Sequence, residues 1–212
     1  RSPSRGLGDV YKRQPKGMNG AKFRARYGVV GLSIVLKDFV VEGLNEAGLS
    51  AGLFYFPHYG NYPVYDAKQN TRTVADLQLV AWMLSQFSTI EEIKAAMQDI
   101  RVVSVDTTGA SSTVHWRIGD ANGRQVVLEF VDGVPCFYEN EIGVLTNSPG
   151  FPWQMTNLNN YVNLYPGGAE AHQLGGVTIF PFGAGSGFQG IPGDVTPPSR
   201  FVRAAFYKAT AP

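Results

Sequence analysis

The sequence predicts an α+β fold, with strands and helices segregated along the chain instead of alternating as they do around a parallel sheet. Three observations predict it. Apolar stretches rich in Val, Leu and Ile flank a turn near the start, two segments of helical period follow, and a run of short strands separated by strong turn signals comes next. In the first region, Tyr27–Val41 and Leu49–Phe56 read as two strands of a hairpin joined through Asn45-Glu46-Ala47-Gly48. Thr73–Ser85 then places Leu77, Val80, Ala81 and Leu84 at helical spacing. Ser88-Thr89-Ile90-Glu91 reads as a capping box that opens a second helix, with Ile90, Ile93, Met97 and Ile100 along one face. Thr113–Ile118, Gln125–Val131, Val134–Tyr138 and Gly143–Thr146 form the predicted antiparallel meander, turning at Asp120-Ala121-Asn122-Gly123 and Asp132-Gly133. Gly and Pro cluster in the last third and predict ordered loops, before Arg200–Ala209 resumes helical spacing.

Composition narrows the function classes. The 212 residues are 44% hydrophobic and 17% charged, in the ordinary range for a globular domain with a real core. Eighteen Lys and Arg balance seventeen Asp and Glu, so no concentrated positive field is available for a nucleic acid or an anionic membrane surface. Apolar runs are broken by charge within a few residues, which predicts no membrane-spanning helix. A single cysteine, Cys136, excludes an internal disulfide framework and a multi-thiolate metal cluster. His58, His115 and His172 are isolated from one another, so no metal site is expected. His115, inside a predicted strand, reads as a satisfied core or edge histidine. Gly185-Ser186-Gly187-Phe188-Gln189-Gly190 matches a dinucleotide fingerprint in letters only, because Ile191-Pro192-Gly193 follows where a helix would have to start. It is expected to be an ordered loop.

Two positions invite a chemical reading beside a structural one. Asn147, in Leu145-Thr146-Asn147-Ser148-Pro149, ends the meander either as part of an Asn-rich turn or as a carboxamide donor to a developing oxyanion. Arg200, in Pro197-Pro198-Ser199-Arg200-Phe201, puts a cation where a helix begins, against the helix dipole. Either a surface ion pair or some other negative partner should compensate it. Phe54, Phe56 and Tyr59 cluster in sequence and can line an apolar pocket or fill the space between two layers.

These stretches also carry a family likeness. Glu42-Gly43-Leu44-Asn45-Glu46-Ala47-Gly48-Leu49, Leu145–Pro149, Asn157-Leu158-Asn159-Asn160-Tyr161 and Gly190-Ile191-Pro192-Gly193-Asp194 through Phe201 resemble, in that order, motifs of the choloylglycine hydrolase family. That family holds bile salt hydrolases and penicillin V acylases. The resemblance implies an N-terminal-nucleophile fold, an αββα sandwich of two antiparallel sheets between helix layers. It implies cleavage of a small-molecule amide by an N-terminal cysteine whose own α-amine is the base, with no cofactor. By motif, Asn147 resembles the oxyanion-hole asparagine and Arg200 the arginine near the catalytic thiol. Phe54 falls where bile salt hydrolases often carry Asn and penicillin V acylases often Tyr. The segment Tyr165–Gly190 resembles one that reaches across a homo-tetramer.

The start of the chain departs from the family pattern. Arg1–Gln14 resembles translated adapter sequence, and the domain is expected to begin at Pro15 and run to Pro212. The family's nucleophile would precede the Tyr27 strand, where Cys136 does not lie. The expectation is therefore a fragment, incomplete at both ends and inactive as it stands, of a conjugated bile salt hydrolase. Penicillin V or acyl-homoserine lactone acylase activity is the alternative, and a nucleophile-free relative that binds an amphipathic ligand is the second.

Overall fold

A computed structural model describes residues 20–34, 39–105, 113–183 and 185–211. The segment Arg1–Gln14 lies outside the described residues. The chain divides into two compact units, with the boundary after Glu141.

The first unit is built on a six-stranded antiparallel sheet. Its strands are β1 (Val29–Ser33), β2 (Val40–Asn45), β3 (Ser50–Tyr55), β6 (Val114–Gly119), β7 (Gln125–Val131) and β8 (Val134–Glu139), in that spatial order. Between β3 and β6 the chain leaves the sheet to form the short parallel pair β4 (Thr73–Ala75) and β5 (Arg101–Val103) around helices α1 (Leu79–Gln86) and α2 (Ile90–Ala96).

Alternation assigns the two sheet faces. Ala51, Trp116, Ile118, Val126 and Leu128 join Leu79, Val80, Met83, Leu84, Ile90 and Ile93 in one buried core beneath the helices. Residues of opposite parity, among them Phe54, His115 and Glu129, belong to the other face. Val126 to Phe130 are buried without a break, Glu129 among them, which is why this strand shows no alternation of apolar and polar residues.

The turn between β2 and β3 depends on Asn45. Its Nδ2 donates to Leu84 O at 2.8 Å and Phe87 O at 2.7 Å, satisfying carbonyls at the end of α1. Its Oδ1 accepts from Ala47 N at 3.1 Å and Leu49 N at 2.9 Å, closing the turn. Gly48 completes it at φ +85°, where a Cβ would also meet Ala121 Cβ at 2.8 Å.

Several boundaries differ from expectation. Tyr27–Val41 contains β1 and the start of β2, two antiparallel strands where one was expected; residues 35–38 lie outside the described residues. Thr73 to Ala75 pairs as a strand with β5 before α1 begins at Leu79. The capping box is one residue later than read: Thr89 is the N-cap, accepting from Glu92 N, and Glu92 reaches back to Thr89 N. Gly143–Thr146 is not a strand. Val144 and Leu145 are buried there in irregular backbone instead.

A charge network ties α2 to the β6–β7 turn and to β8. Arg124 reaches Glu139 at 2.6 Å and Glu91 at 2.5 Å, and Lys94 lies 3.0 Å from Glu139. The Arg124 hydrogen bond, followed by that of Lys94, holds the Glu139 carboxyl at about 2, against an ordinary 4.5. A folded-state value below the unfolded one gives a contribution that is complete above about pH 4.5 and lost as pH falls through about 2. Titration by carboxyl NMR should therefore show Glu139 still ionised at pH 3.5, and Arg124→Met should move its midpoint up toward 4.5. Because the group is exposed, the effect on overall stability is small.

The second unit, from Ile142, contains α3 (Phe151–Asn157), the hairpin β9 (His172–Leu174) and β10 (Val177–Ile179), and α4 (Pro197–Thr210). Phe151 of α3 packs edge-on against Phe201 of α4, ring centres 6.2 Å apart. Gly185–Gly190 is a turn-rich loop, as expected, with Gly185 and Gly190 at φ +97° and +91°. At Gly187 a Cβ would lie 2.5 Å from Pro166 O, so the close approach of the two loop strands requires glycine.

Candidate active site

In the second unit, the loop from Ile142 to Gly150 carries Asn147. Val144 and Leu145 anchor it by burial, and Thr146 Oγ1 donates to Pro197 O at 3.1 Å. The Ser148–Pro149 peptide is cis. Gly150 is the N-cap of α3, with Phe151 and Pro152 in the first turn, so the chain passes directly from the Asn147 loop into a helix. Gln154 is fully buried beneath the loop, its Nε2 3.5 Å from both Asn147 O and Pro149 O.

Arg200 arrives from the first turn of α4. Its Nη2 donates to Asn147 Oδ1 at 2.6 Å, and its Nη1 donates to Val195 O. Neither of these two partners is a carboxylate, and among the described residues Arg200 forms no ion pair. The negative group at this helix start is Asp194, whose carboxylate accepts from Thr196 N at 2.9 Å, Thr196 Oγ1 at 2.5 Å and Ser199 Oγ at 2.6 Å. The Ser199 hydroxyl, then Thr196, holds Asp194 at about 2. Arg203 clamps the same turn from the next helical turn, donating to Pro192 O and Asp194 O at 2.6 Å each.

The chemical result is an oriented carboxamide. A guanidinium can only donate, so it selects Oδ1 as the end of Asn147 that faces Arg200 and turns Nδ2, the donor end, away from it. The reverse orientation would set donor against donor. Asn147 and Arg200 are 53 residues apart, and no spacing rule predicts their contact.

In the first unit, Phe54, Phe56 and Tyr59 do form one cluster, and its centre is His115. Phe54 on β3 is the register partner of His115 on β6, and its ring meets the imidazole edge-on at 6.1 Å and 87°. Phe56 stacks flat on the same imidazole at 4.2 Å and 7°. Tyr59 lies 5.9 Å from Phe56 and is 55% exposed. Phe56 is 1% exposed and is the core-packing member of the three, fixed by its N–H donating to Thr113 O at 2.7 Å and its carbonyl accepting from Thr113 Oγ1.

His115 is a satisfied, fully buried histidine, as read from the sequence, but its partner was missed. Nδ1 lies 2.9 Å from Glu129 Oε1, and Glu129 is itself 2% exposed. The signal was available. Counting outward from the Asp120–Gly123 turn sets His115 opposite Glu129, the lone acid in an apolar strand.

Cys136 sits within β8, with Sγ 3.7 Å from Val134 O. Its nitrogen is part of a peptide bond, so it has no α-amine to act as its own base. Among the described residues, no three His, Cys, Asp or Glu side chains gather as a metal site, and no helix is long and apolar enough to cross a membrane.

Comparison with known proteins places this geometry. Residues 10–212 match the family model for linear amide C–N hydrolases of the choloylglycine hydrolase family. The bile salt hydrolase/transferase of Clostridium perfringens is 34% identical over 194 residues, covering 90% of this chain and 59% of that protein. The crystal structure of a variant of conjugated bile acid hydrolase from the same organism superposes with a TM-score of 0.78 at 34% identity, covering 88% of this chain and 58% of the other. Penicillin V acylase from Agrobacterium tumefaciens gives 0.71 at 26% identity, over 92% and 53% of the two chains. The chain thus spans about three-fifths of the length of the bile salt hydrolase it matches. These structures share its fold, the αββα sandwich, to which the six-stranded antiparallel sheet and its helix layer belong. With the family model matched along nearly its whole length, the chain belongs to the choloylglycine hydrolase family of linear amide C–N hydrolases.

Proposed function

We propose that the protein encoded by the full reading frame hydrolyses the amide bond of conjugated bile salts. The observation that carries this reading is the 2.6 Å contact of Arg200 with Asn147 Oδ1, which aims a carboxamide donor from the loop where the family resemblance calls for an oxyanion hole. The nucleophile in this mechanism is a cysteine at the protein N-terminus, whose thiol attacks the amide carbonyl while its α-amine takes the proton. The amine leaves, and water then releases the acid from the thioester. Within the present sequence the sole cysteine, Cys136, is internal and is not the nucleophile of this proposal. We place the domain at 15–212, because residues 1–14 lack apolar period; the family match itself begins at residue 10.

Penicillin V acylase activity is the second reading. Its support is Phe54, which is neither the Asn often found there in bile salt hydrolases nor the Tyr often found in penicillin V acylases but shares the aromatic ring of the latter. In this reading Phe54 and Tyr59 offer an apolar wall to the acyl part of either substrate, with the buried Phe56 packed behind them.

The test is to recover the reading frame from its source DNA, express it, and follow release of glycine or taurine from conjugated bile salts with penicillin V in parallel. Turnover abolished by replacing the terminal cysteine supports the proposal. A native start without cysteine, or no turnover of either amide by the complete protein, replaces it with ligand binding. We also propose a homo-tetramer, supported by Leu174, Val177, Ile179, Phe180 and Phe182, all exposed on or beside the β9–β10 hairpin. Light scattering of the full-length protein should give four copies, and Phe182→Ser should lower that number; a monomer in both would refute the assembly.

A further inference from the structure

We infer that the buried His115–Glu129 pair is a positioning device that fixes the pose of Phe54 and Phe56, and through them the shape of the aromatic wall. The inference deepens the reading of Phe54, Phe56 and Tyr59 as a substrate wall and, in its ligand-binding arm only, rests on it.

Glu129 is 2% exposed and His115 fully buried. Burying two such groups is costly unless they are held together, and an apolar pair of similar size would fill the same space without that cost. What an apolar pair would lack is direction. The hydrogen bond between Nδ1 and Glu129 Oε1, 2.9 Å apart, fixes the imidazole plane relative to the sheet. Both phenylalanines are set by that plane: Phe56 lies parallel to it within 7°, and Phe54 stands on it at 87°. Phe56 is clamped at its backbone by Thr113, so the imidazole needs to fix only its ring. Phe54 sits opposite His115 in the β3–β6 register, and its half-buried ring meets the imidazole as an edge-to-face neighbour. Ring pairs of this kind carry their preference in geometry more than in contact area. A rotated imidazole would therefore release Phe54 to other rotamers while leaving the strands paired.

The test uses the 212-residue chain with ¹³C-labelled phenylalanine rings, in four forms: unaltered, Glu129→Leu, Glu129→Gln and His115→Leu. Far-UV circular dichroism establishes that each is folded. Ring-current-shifted Phe54 and Phe56 resonances, assigned by single Phe→Leu replacements, report the ring poses directly and need no ligand. Calorimetric titration with glycocholate and with penicillin V reports the wall. Glu129→Leu and His115→Leu should collapse the shifted resonances toward averaged values, while Glu129→Gln, which keeps a hydrogen-bonding partner for Nδ1, should restore them. Glycocholate binding should weaken about tenfold in the two Leu variants and recover in Glu129→Gln. Folded Leu variants with unaltered Phe54 and Phe56 resonances overturn the inference. Failure of Glu129→Gln to restore them also overturns it, since a pair that merely fills space has no use for the hydrogen bond. Collapsed resonances in a chain whose unaltered form binds neither probe confirm the positioning and reject the substrate wall.

Discussion

Asn147→Ala, made in the enzyme that carries its terminal cysteine, is expected to lower kcat for amide hydrolysis by about 10²- to 10³-fold with KM little changed. The magnitude is that of one oxyanion donor, about 3–4 kcal/mol of transition-state stabilisation. Alanine removes the donor and leaves the loop intact, because Val144, Leu145 and the Thr146 hydrogen bond to Pro197 hold it without the Asn147 side chain. Arg200→Met removes both the charge and the hold on Asn147, and combining it with Asn147→Ala separates the two. If Arg200 works by holding Asn147 Oδ1, its loss and that of Asn147 are not additive, and the double variant falls no further than Asn147→Ala alone. Steady-state kinetics on the three variants decides the matter, and an Asn147→Ala enzyme with unaltered kcat would falsify the assignment.

On stability, the largest single effect is expected at Asn45. Asn45→Ala should destabilise the folded chain by about 3–5 kcal/mol, read from urea unfolding. Four hydrogen bonds of 2.7–3.1 Å disappear together, and the carbonyls of Leu84 and Phe87 and the amides of Ala47 and Leu49 are left behind, the first and last of these buried. Asn45→Asp distinguishes the two halves of the side chain. It keeps the acceptor for the turn but sets a carboxylate against two carbonyl oxygens, so it should fare no better than alanine. A loss under about 1 kcal/mol for either variant would show that these bonds are not holding α1 to the β2–β3 turn.

Asn45 also clarifies what a sequence can disclose. The motif around it reads as a turn, which the structure shows, yet its physical reason is a link from that turn to the end of a helix 39 residues away. Strands announced by strong turns, β6 to β8, are legible because Asn122-Gly123 and Asp132-Gly133 fix their register locally. Three-residue strands such as β4 and β5 are too short to show a period, and they pair with each other across two helices. Helix α3 hid behind Pro152 and the following asparagines, which read as a turn but in fact place proline at a helix start, where it is tolerated. In the candidate site, resemblance named Asn147 and Arg200, but only the fold could disclose that one orients the other. Glu129 was overlooked because a lone acid in an apolar strand has no local signal until the opposite strand is counted.

The excursion between β3 and β6 also sets the order in which this chain can fold. Strands β6, β7 and β8 are joined by tight turns and can associate on the microsecond scale of hairpins. Strand β3 reaches β6 only after residues 56–113, with both helices and the β4–β5 pair, have been looped out. Closing so long a segment costs only about 0.6 kcal/mol per doubling of length, yet that entropy is spent before the central pairing returns anything. Refolding should therefore be limited by the joining of the β1–β3 half to the β6–β8 half. Substitutions at the β3–β6 seam will slow folding, whereas those confined to the distal end of the meander will chiefly speed unfolding.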